Sequence, residues 1–331
     1  MATLFCFGLG YSASHYIHGF GARFDRIAGT VTTREKAAHL AAAGIGGHKV
    51  EAFVFDGTDA APEVTAALTD ADALLVSAPP TEDGDPVLVQ FAGTIAGAPQ
   101  LETIVYLSTI GVYGDHGGEW VDEETPPAPV SERSGARLAA EQQWQALGLR
   151  AGRPVAILRL AGIYGPGQNA LTQMRSGRAK RIDKPGQAFN RIHVEDIAQA
   201  IEAALVQRAD GIFNVTDDEP TPQGVPVGFA AELLGGRKHV RQRVGMVGHR
   251  VNVEKHRAGN MRSDVVVLRQ RQHARHLERG VDHPDVGIVQ VRGEPFGGDE
   301  RIGGGHVSGL RYFPDVIAGL DPAIHLLRRI S

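Results

Sequence analysis

Short apolar runs alternate with Ala-rich stretches through the first 235 residues. That is the pattern of a parallel sheet whose strands are buried on both faces and covered by helices. The runs predict strands at Thr3–Phe7, Ile27–Thr32, Glu51–Phe55, Ala73–Val76, Thr103–Leu107, Val155–Leu160 and Gly211–Val215. Helices are predicted between them at Ser12–Gly19, Arg34–Ala43, Pro62–Leu68, Pro86–Ala96, Gly135–Leu147 and Val194–Val206. One long interruption, Gly114–Ser134, carries Asp122, Glu123 and Glu124 ahead of Pro126, Pro127 and Pro129. Acidic, Pro-rich and placed at a strand's end, it predicts a surface loop or lid. After Gly235 the alternation fails, and only scattered apolar pieces remain at Val265–Leu268 and Val286–Val291.

Composition then narrows the class. With 331 residues, 42% hydrophobic and 22% charged, the chain can bury one large α/β core or two ordinary ones. A lone cysteine, Cys6, excludes a disulfide framework. The apolar Met1–Gly10 stretch lacks a basic leader and a cleavage site, and no run approaches 18 apolar residues. A cytoplasmic protein with no membrane partner is therefore expected.

The net charge of −4 hides two compositions. Residues 236–331 hold 15 Arg and 2 Lys against 6 Asp and 4 Glu, an excess of seven positive charges, leaving −11 for residues 1–235. The same tail holds 8 of the 14 histidines. Its aromatic residues are only Phe296, Tyr312 and Phe313, too few to interleave with bases, so nucleic acid is not an expected partner. His273, His276 and His283 match no standard zinc spacing and no cysteine assists them, so no metal is expected.

The sharpest local motif is Gly8-Leu9-Gly10-Tyr11-Ser12-Ala13, directly after the first predicted strand and opening the first helix. In that setting Gly8 permits the tight turn, Gly10 lets the backbone approach a pyrophosphate, and Ala13 allows close helix packing. A site that prefers NAD places an acidic residue at the end of the second strand, to hold the ribose 2′-hydroxyl. Here Thr32-Thr33-Arg34 stands instead. Hydroxyls and a guanidinium suit a 2′-phosphate, so NADP is the expected cofactor and NAD the second choice.

Together with that loop, further segments resemble the extended and atypical short-chain dehydrogenases/reductases, the NAD-dependent epimerase/dehydratase family. They are Phe55-Asp56-Gly57, Ser77-Ala78-Pro79-Pro80, Leu107 through Gly114, Arg159 through Gly167, Asn190 through Asp196, and Asn214-Val215. The resemblance runs over residues 1–235. It implies a doubly wound parallel sheet, an NAD(P)-binding Rossmann domain with the 114–134 lid. Asp56 would lie beside the adenine, Ser77, Ala78 and Pro79 along the nicotinamide ribose, and Thr109 where the family keeps its catalytic Ser or Thr. The family's Tyr, with a Lys four residues later, is replaced by Arg133 and Arg137. A guanidinium is a poor proton donor near neutral pH, although Arg137 can still bind ribose hydroxyls or phosphate. Tyr113 and Tyr164 are the nearest substitute phenols, Tyr113 being the candidate acid, although each lies in a family motif where an aromatic ring packs against the sheet edge and packing is the favoured role; His193 reads as a structural residue shaping the substrate end.

These features lead to two readings. One is an NAD(P)-dependent oxidoreductase or epimerase-like enzyme for a small carbonyl or nucleotide-linked substrate. The other is a non-catalytic NADP-binding sensor. The oligomeric state is open. Residues 236–331, Arg-rich and without an amphipathic period, read as an out-of-frame or disordered tail, since Arg codons are GC-rich. A genuine basic extension is the competing reading.

Overall fold

The computed structural model describes residues 2–183, 189–235, 241–244 and 252–253. In chain order the elements are β1 (Thr3–Phe7), α1 (Tyr11–Phe20), β2 (Arg26–Val31), α2 (Arg34–Ala43), β3 (Glu51–Val54), α3 (Pro62–Thr69), β4 (Ala73–Val76), α4 (Pro86–Gly97) and β5 (Thr103–Thr109). Then follow β6 (Trp120–Val121), α5 (Glu132–Ala151), β7 (Val155–Leu160), β8 (Gly162–Tyr164), α6 (Ala170–Arg175), β9 (Lys180–Asp183) and β10 (Arg191–His193). The last are α7 (Val194–Val206), β11 (Gly211–Val215), α8 (Gly224–Leu233), β12 (Arg241–Val244) and β13 (Asn252–Val253).

Seven strands form one parallel sheet in the order β11-β7-β5-β4-β1-β2-β3. The period-2 alternation of a strand sends Leu4 and Cys6 to one face and Phe5 and Phe7 to the other. The first pair packs with Tyr16, Ile17, Ile197 and Ile201 of α1 and α7. The second packs with Val64, Leu68, Phe91, Ile95 and Trp144 of α3, α4 and α5. The chain winds outward from β1 through β2 to β3, then from β4 to β11, so the direction reverses between β1 and β4. Ligands of open parallel sheets bind in the crevice at such a point, beyond the strand carboxyl ends.

This is the doubly wound α/β fold expected, and all seven predicted strands and six predicted helices are present. Two boundaries differ instructively. The fifth strand runs on to Thr109, paired with Leu160. Helix α5 spans 132–151 rather than 135–147, started by Ser131, whose side chain accepts from Ser134 N, and stopped by Gly152 at φ 64°. Gly148 lies inside that helix, where only glycine fits, because a Cβ there would collide with Val155 and the Arg153 carbonyl.

The pattern did not reveal α6, α8 or the strands outside the main sheet. Those strands have two to four residues, and they pair β8 with β10, β9 with β12 and β6 with β13, too short for periodicity to register. Helix α8 contains Gly224, Pro226 and Gly228, which read as breakers. Among the described residues no helix is long and apolar enough to cross a membrane. The His273, His276 and His283 triplet and most of the 236–331 tail lie outside the described residues.

Candidate functional site

The Gly loop occupies the carboxyl end of β1. Gly8 has φ 89°, where an L side chain is strained, and a Cβ there would lie 3.1 Å from Ala78 N. The turn is held by Gly8 N and Leu9 N donating to Thr30 Oγ1 (3.1 Å) and Thr30 O (2.8 Å). Among the described residues, no atom beyond its own chain neighbours lies within 4 Å of the Cβ position of Gly10, so the backbone there is open to approach. Helix α1 begins at Tyr11 with Gly10 as its N-cap and no side-chain cap, leaving its first N–H groups for an acceptor from outside. Ala13 and Ser12 are buried beneath. These residues fit a dinucleotide pyrophosphate: a close-approach glycine, an uncapped helix N-terminus and no carboxylate in its first turn.

The flanking positions lie along the same sheet edge. Thr32 and Arg34 are exposed at the start of α2, while Thr33 is spent on the cap, accepting from Lys36 N at 3.2 Å. Asp56 is exposed after β3, and its carboxylate accepts from Thr58 Oγ1 (2.7 Å) and Thr58 N (3.1 Å), bonds that hold its pKa below the usual range. Ser77 and Ala78 are half-buried, with their N–H groups on Phe7 O, and Pro79 is exposed.

On the neighbouring strand, Thr109 ends β5 half-buried, and its Oγ1 accepts from Gly111 N at 3.1 Å. That leaves the hydroxyl proton available to a ligand. Tyr113 behaves differently. It is fully buried, its hydroxyl donates to Asn214 Oδ1 at 2.9 Å, and the Arg159 guanidinium stands 4.7 Å from its ring centre. Burial pushes its phenol up to about 12. Its hydroxyl proton is thereby already donated to Asn214. Tyr164 is half-buried with its ring edge-on to His193, and His193 is buried, its Nδ1 accepting from Glu195 N at 3.3 Å as the cap of α7.

The two arginines part company. Arg133 is exposed. Arg137 is half-buried, with Nη1 donating to Leu107 O (2.9 Å) and Tyr106 Oη (3.1 Å) and its plane near the Tyr106 ring. Its other nitrogens have no protein hydrogen bond among the described residues. Buried nearby is Asp85, which caps α4 and accepts from Trp144 Nε1 at 2.9 Å; burial raises its carboxyl pKa.

Beneath Thr109 lies a pair the motifs did not reveal. Glu141 and Arg159 are both buried, 2.7 Å apart, and Ser108 Oγ donates to the same carboxylate. The signal was present in the sequence: an Arg inside Val155–Leu160, a run that the pattern buries, requires a buried partner. The 114–134 segment is tied to β11 by Glu123 Oε1, which accepts from Asn214 N at 2.8 Å, and to the helical turn after β5 by Ala128 N donating to Tyr113 O at 3.3 Å. Burial raises the Glu123 pKa. Among the described residues no group of three or more His, Cys, Asp or Glu could hold a metal.

Comparison with known proteins gives a consistent picture. The pattern of the NAD dependent epimerase/dehydratase family matches residues 90–216. Protein YeeZ of Escherichia coli K12 is 30% identical over 237 residues, 69% of this chain and 82% of that protein. A conserved protein of unknown function from Silicibacter pomeroyi is 36% identical, with a TM-score of 0.65 over 77% of this chain and 89% of that one. At 19% identity, the dTDP-glucose 4,6-dehydratase of Bacillus anthracis, solved with NAD, superposes with a TM-score of 0.62 over 76% and 88%.

Proposed function

Because the chain belongs to the NAD-dependent epimerase/dehydratase family, we propose that it is an NADP-dependent oxidoreductase or epimerase-like enzyme of the cytoplasm, acting on a small carbonyl or nucleotide-linked substrate. The observation that carries the reading is the uncapped N-terminus of α1 beyond Gly8 and Gly10, at the switch point of the sheet. The N–H groups of Tyr11, Ser12 and Ala13 receive the pyrophosphate. Thr32 and Arg34 receive the 2′-phosphate, and Asp56 borders the adenine. Ser77, Ala78 and Pro79 line the nicotinamide ribose, to which Arg137 offers its unspent nitrogens.

When bound, the dinucleotide supplies or accepts a hydride. The chain's own residues orient the substrate and manage its oxygen. Thr109, already accepting from Gly111 N, donates its hydroxyl proton as a hydrogen bond to a substrate oxygen. Arg133, exposed and always charged, contributes attraction for an anionic group rather than a proton. The test begins with titration by NADPH and NADH, followed by a screen of aldehydes and nucleotide sugars for NADPH oxidation. Absence of binding by both dinucleotides would refute the reading.

A second reading, a non-catalytic NADP sensor, draws support from Arg133 and Arg137 and from the committed hydroxyl of Tyr113. Tight NADPH binding without oxidation across the screen, with a change in hydrogen exchange over 114–134, would select it.

A further inference from the structure

The first residue of α1 does more than offer its N–H. The Tyr11 hydroxyl donates to the carbonyl of Pro166 at 2.9 Å, a bond between residues 155 positions apart. Its ring packs on His15, 4.4 Å between centres, and the His15 Nδ1 lies 2.9 Å from the Tyr11 carbonyl. On the far side, Gly165 has φ 154°, and a Cβ there would come within 2.7 Å of both Tyr11 Oη and Val194 Cγ1. Only glycine lets that turn close on the phenol.

The turn is itself well fixed. Gly165 N donates to Gln168 O (3.1 Å) and Gln168 N to Gly165 O (3.0 Å), and Asn169 Nδ2 donates to Gly165 O at 3.1 Å. Asn169 also caps α6, accepting from Thr172 N at 2.9 Å. A continuous set of hydrogen bonds therefore joins the Gly loop to the first helix beyond β8. Strands β1 and β7 stand three positions apart in the sheet, about 14 Å at the usual spacing. The Tyr11 to Pro166 bond accordingly links the segments that follow β1 and β7, the strands on either side of β4 and β5.

We propose that Tyr11 is a positioning residue whose bond to Pro166 is a clasp: it must open for a dinucleotide to enter or leave the Gly loop, and so slows exchange. The proposal rests on the coenzyme site described above. The phenol stays protonated across the ordinary pH range, because burial and the nearby Glu195 carboxylate both raise its pKa, so the clasp holds as a donor throughout.

The experiment uses Tyr11→Phe in the full chain, which keeps the ring and removes only the donor. NADPH release, followed by stopped-flow displacement, should accelerate by about 3- to 10-fold, the weight of one hydrogen bond. Because entry accelerates as well, the equilibrium affinity should change by less than about 3-fold, a split that a merely stabilising contact would not produce. Gly165→Ala, which pushes the turn off the phenol, should give the same acceleration, and the double variant should add little to it. Hydrogen exchange on the ligand-free chain should show faster exchange at the Gly165 and Gln168 amides in Tyr11→Phe. Unchanged NADPH release, with wild type binding normally, would overturn the clasp while sparing the coenzyme site. Failure of wild type to bind NADPH or NADH would overturn both.

Discussion

Arg34 is exposed and makes no ion pair among the described residues, so its charge can reach a ligand, although the neighbouring Glu35 carboxylate, bonded to Thr33, partly opposes a phosphate there. Arg34→Ala should weaken NADPH binding by about 1 to 3 kcal/mol, the weight of a charge-assisted contact, and leave NADH nearly unchanged. Fluorescence titration of both dinucleotides checks this, and equal losses would remove the assignment. Tyr113 carries the opposite expectation. Since its hydroxyl is held by Asn214, Tyr113→Phe should leave substrate turnover within about 3-fold of wild type, well short of the 10²-fold or greater loss of a general acid. Loss of turnover on that scale, with the fold intact by circular dichroism, would return Tyr113 to the reaction.

At the level of elements, the joints between helices and strands are polar where the site is built. Glu141 of α5 and Arg159 of β7 are both almost completely buried, so removing one leaves the other charge uncompensated. Glu141→Leu should cost about 3 to 5 kcal/mol in urea unfolding, and Glu141→Leu with Arg159→Met should recover much of it. A loss below about 1 kcal/mol in the single variant would mean that water reaches the pair. Glu123, which ties the 114–134 segment to β11, gives a pH signature. Burial raises its folded pKa above the unfolded value, so the stabilisation it brings is present below the ordinary carboxylate range and is lost as pH rises through the raised folded value. Glu123→Gln keeps an acceptor for Asn214 N and removes the buried charge. Relative to wild type, it should gain stability in thermal unfolding as pH rises above the ordinary carboxylate range. A variant that instead loses ground with rising pH would show that the charge holds the segment down.

For the whole molecule, composition divides where the readable pattern stops. We propose that the change from −11 over residues 1–235 to an Arg- and His-rich tail with seven excess positive charges marks a shift of reading frame close to Gly235. The pairing of β12 with β9 and of β13 with β6 is main-chain pairing, which many sequences can make, and so does not distinguish an evolved segment from a shifted one. The coding DNA decides the matter. A neighbouring frame downstream of the Gly235 codon should encode a helical ending with alternating apolar positions. Stops in every alternative frame would show that the basic sequence belongs to the protein.

The sheet, its helices and the Gly-rich turn after β1 were legible along the chain because each rests on local information. Fully buried parallel strands need unbroken apolar runs, helices need their own period and caps, and a close-approach turn needs glycine at Gly8. The order β11-β7-β5-β4-β1-β2-β3 was not written in those local patterns, since a right-handed crossover fixes the hand of a connection and not which strands become neighbours. What only the tertiary structure decided are the partnerships between distant residues. Arg159 with Glu141, Tyr113 with Asn214, Asn214 N with Glu123 and Tyr11 with Pro166 join positions from 18 to 155 residues apart. A side chain's type says that a buried charge or hydroxyl needs a partner, but not which one, because that choice is made by the packing that brings strand ends and helix starts to one edge.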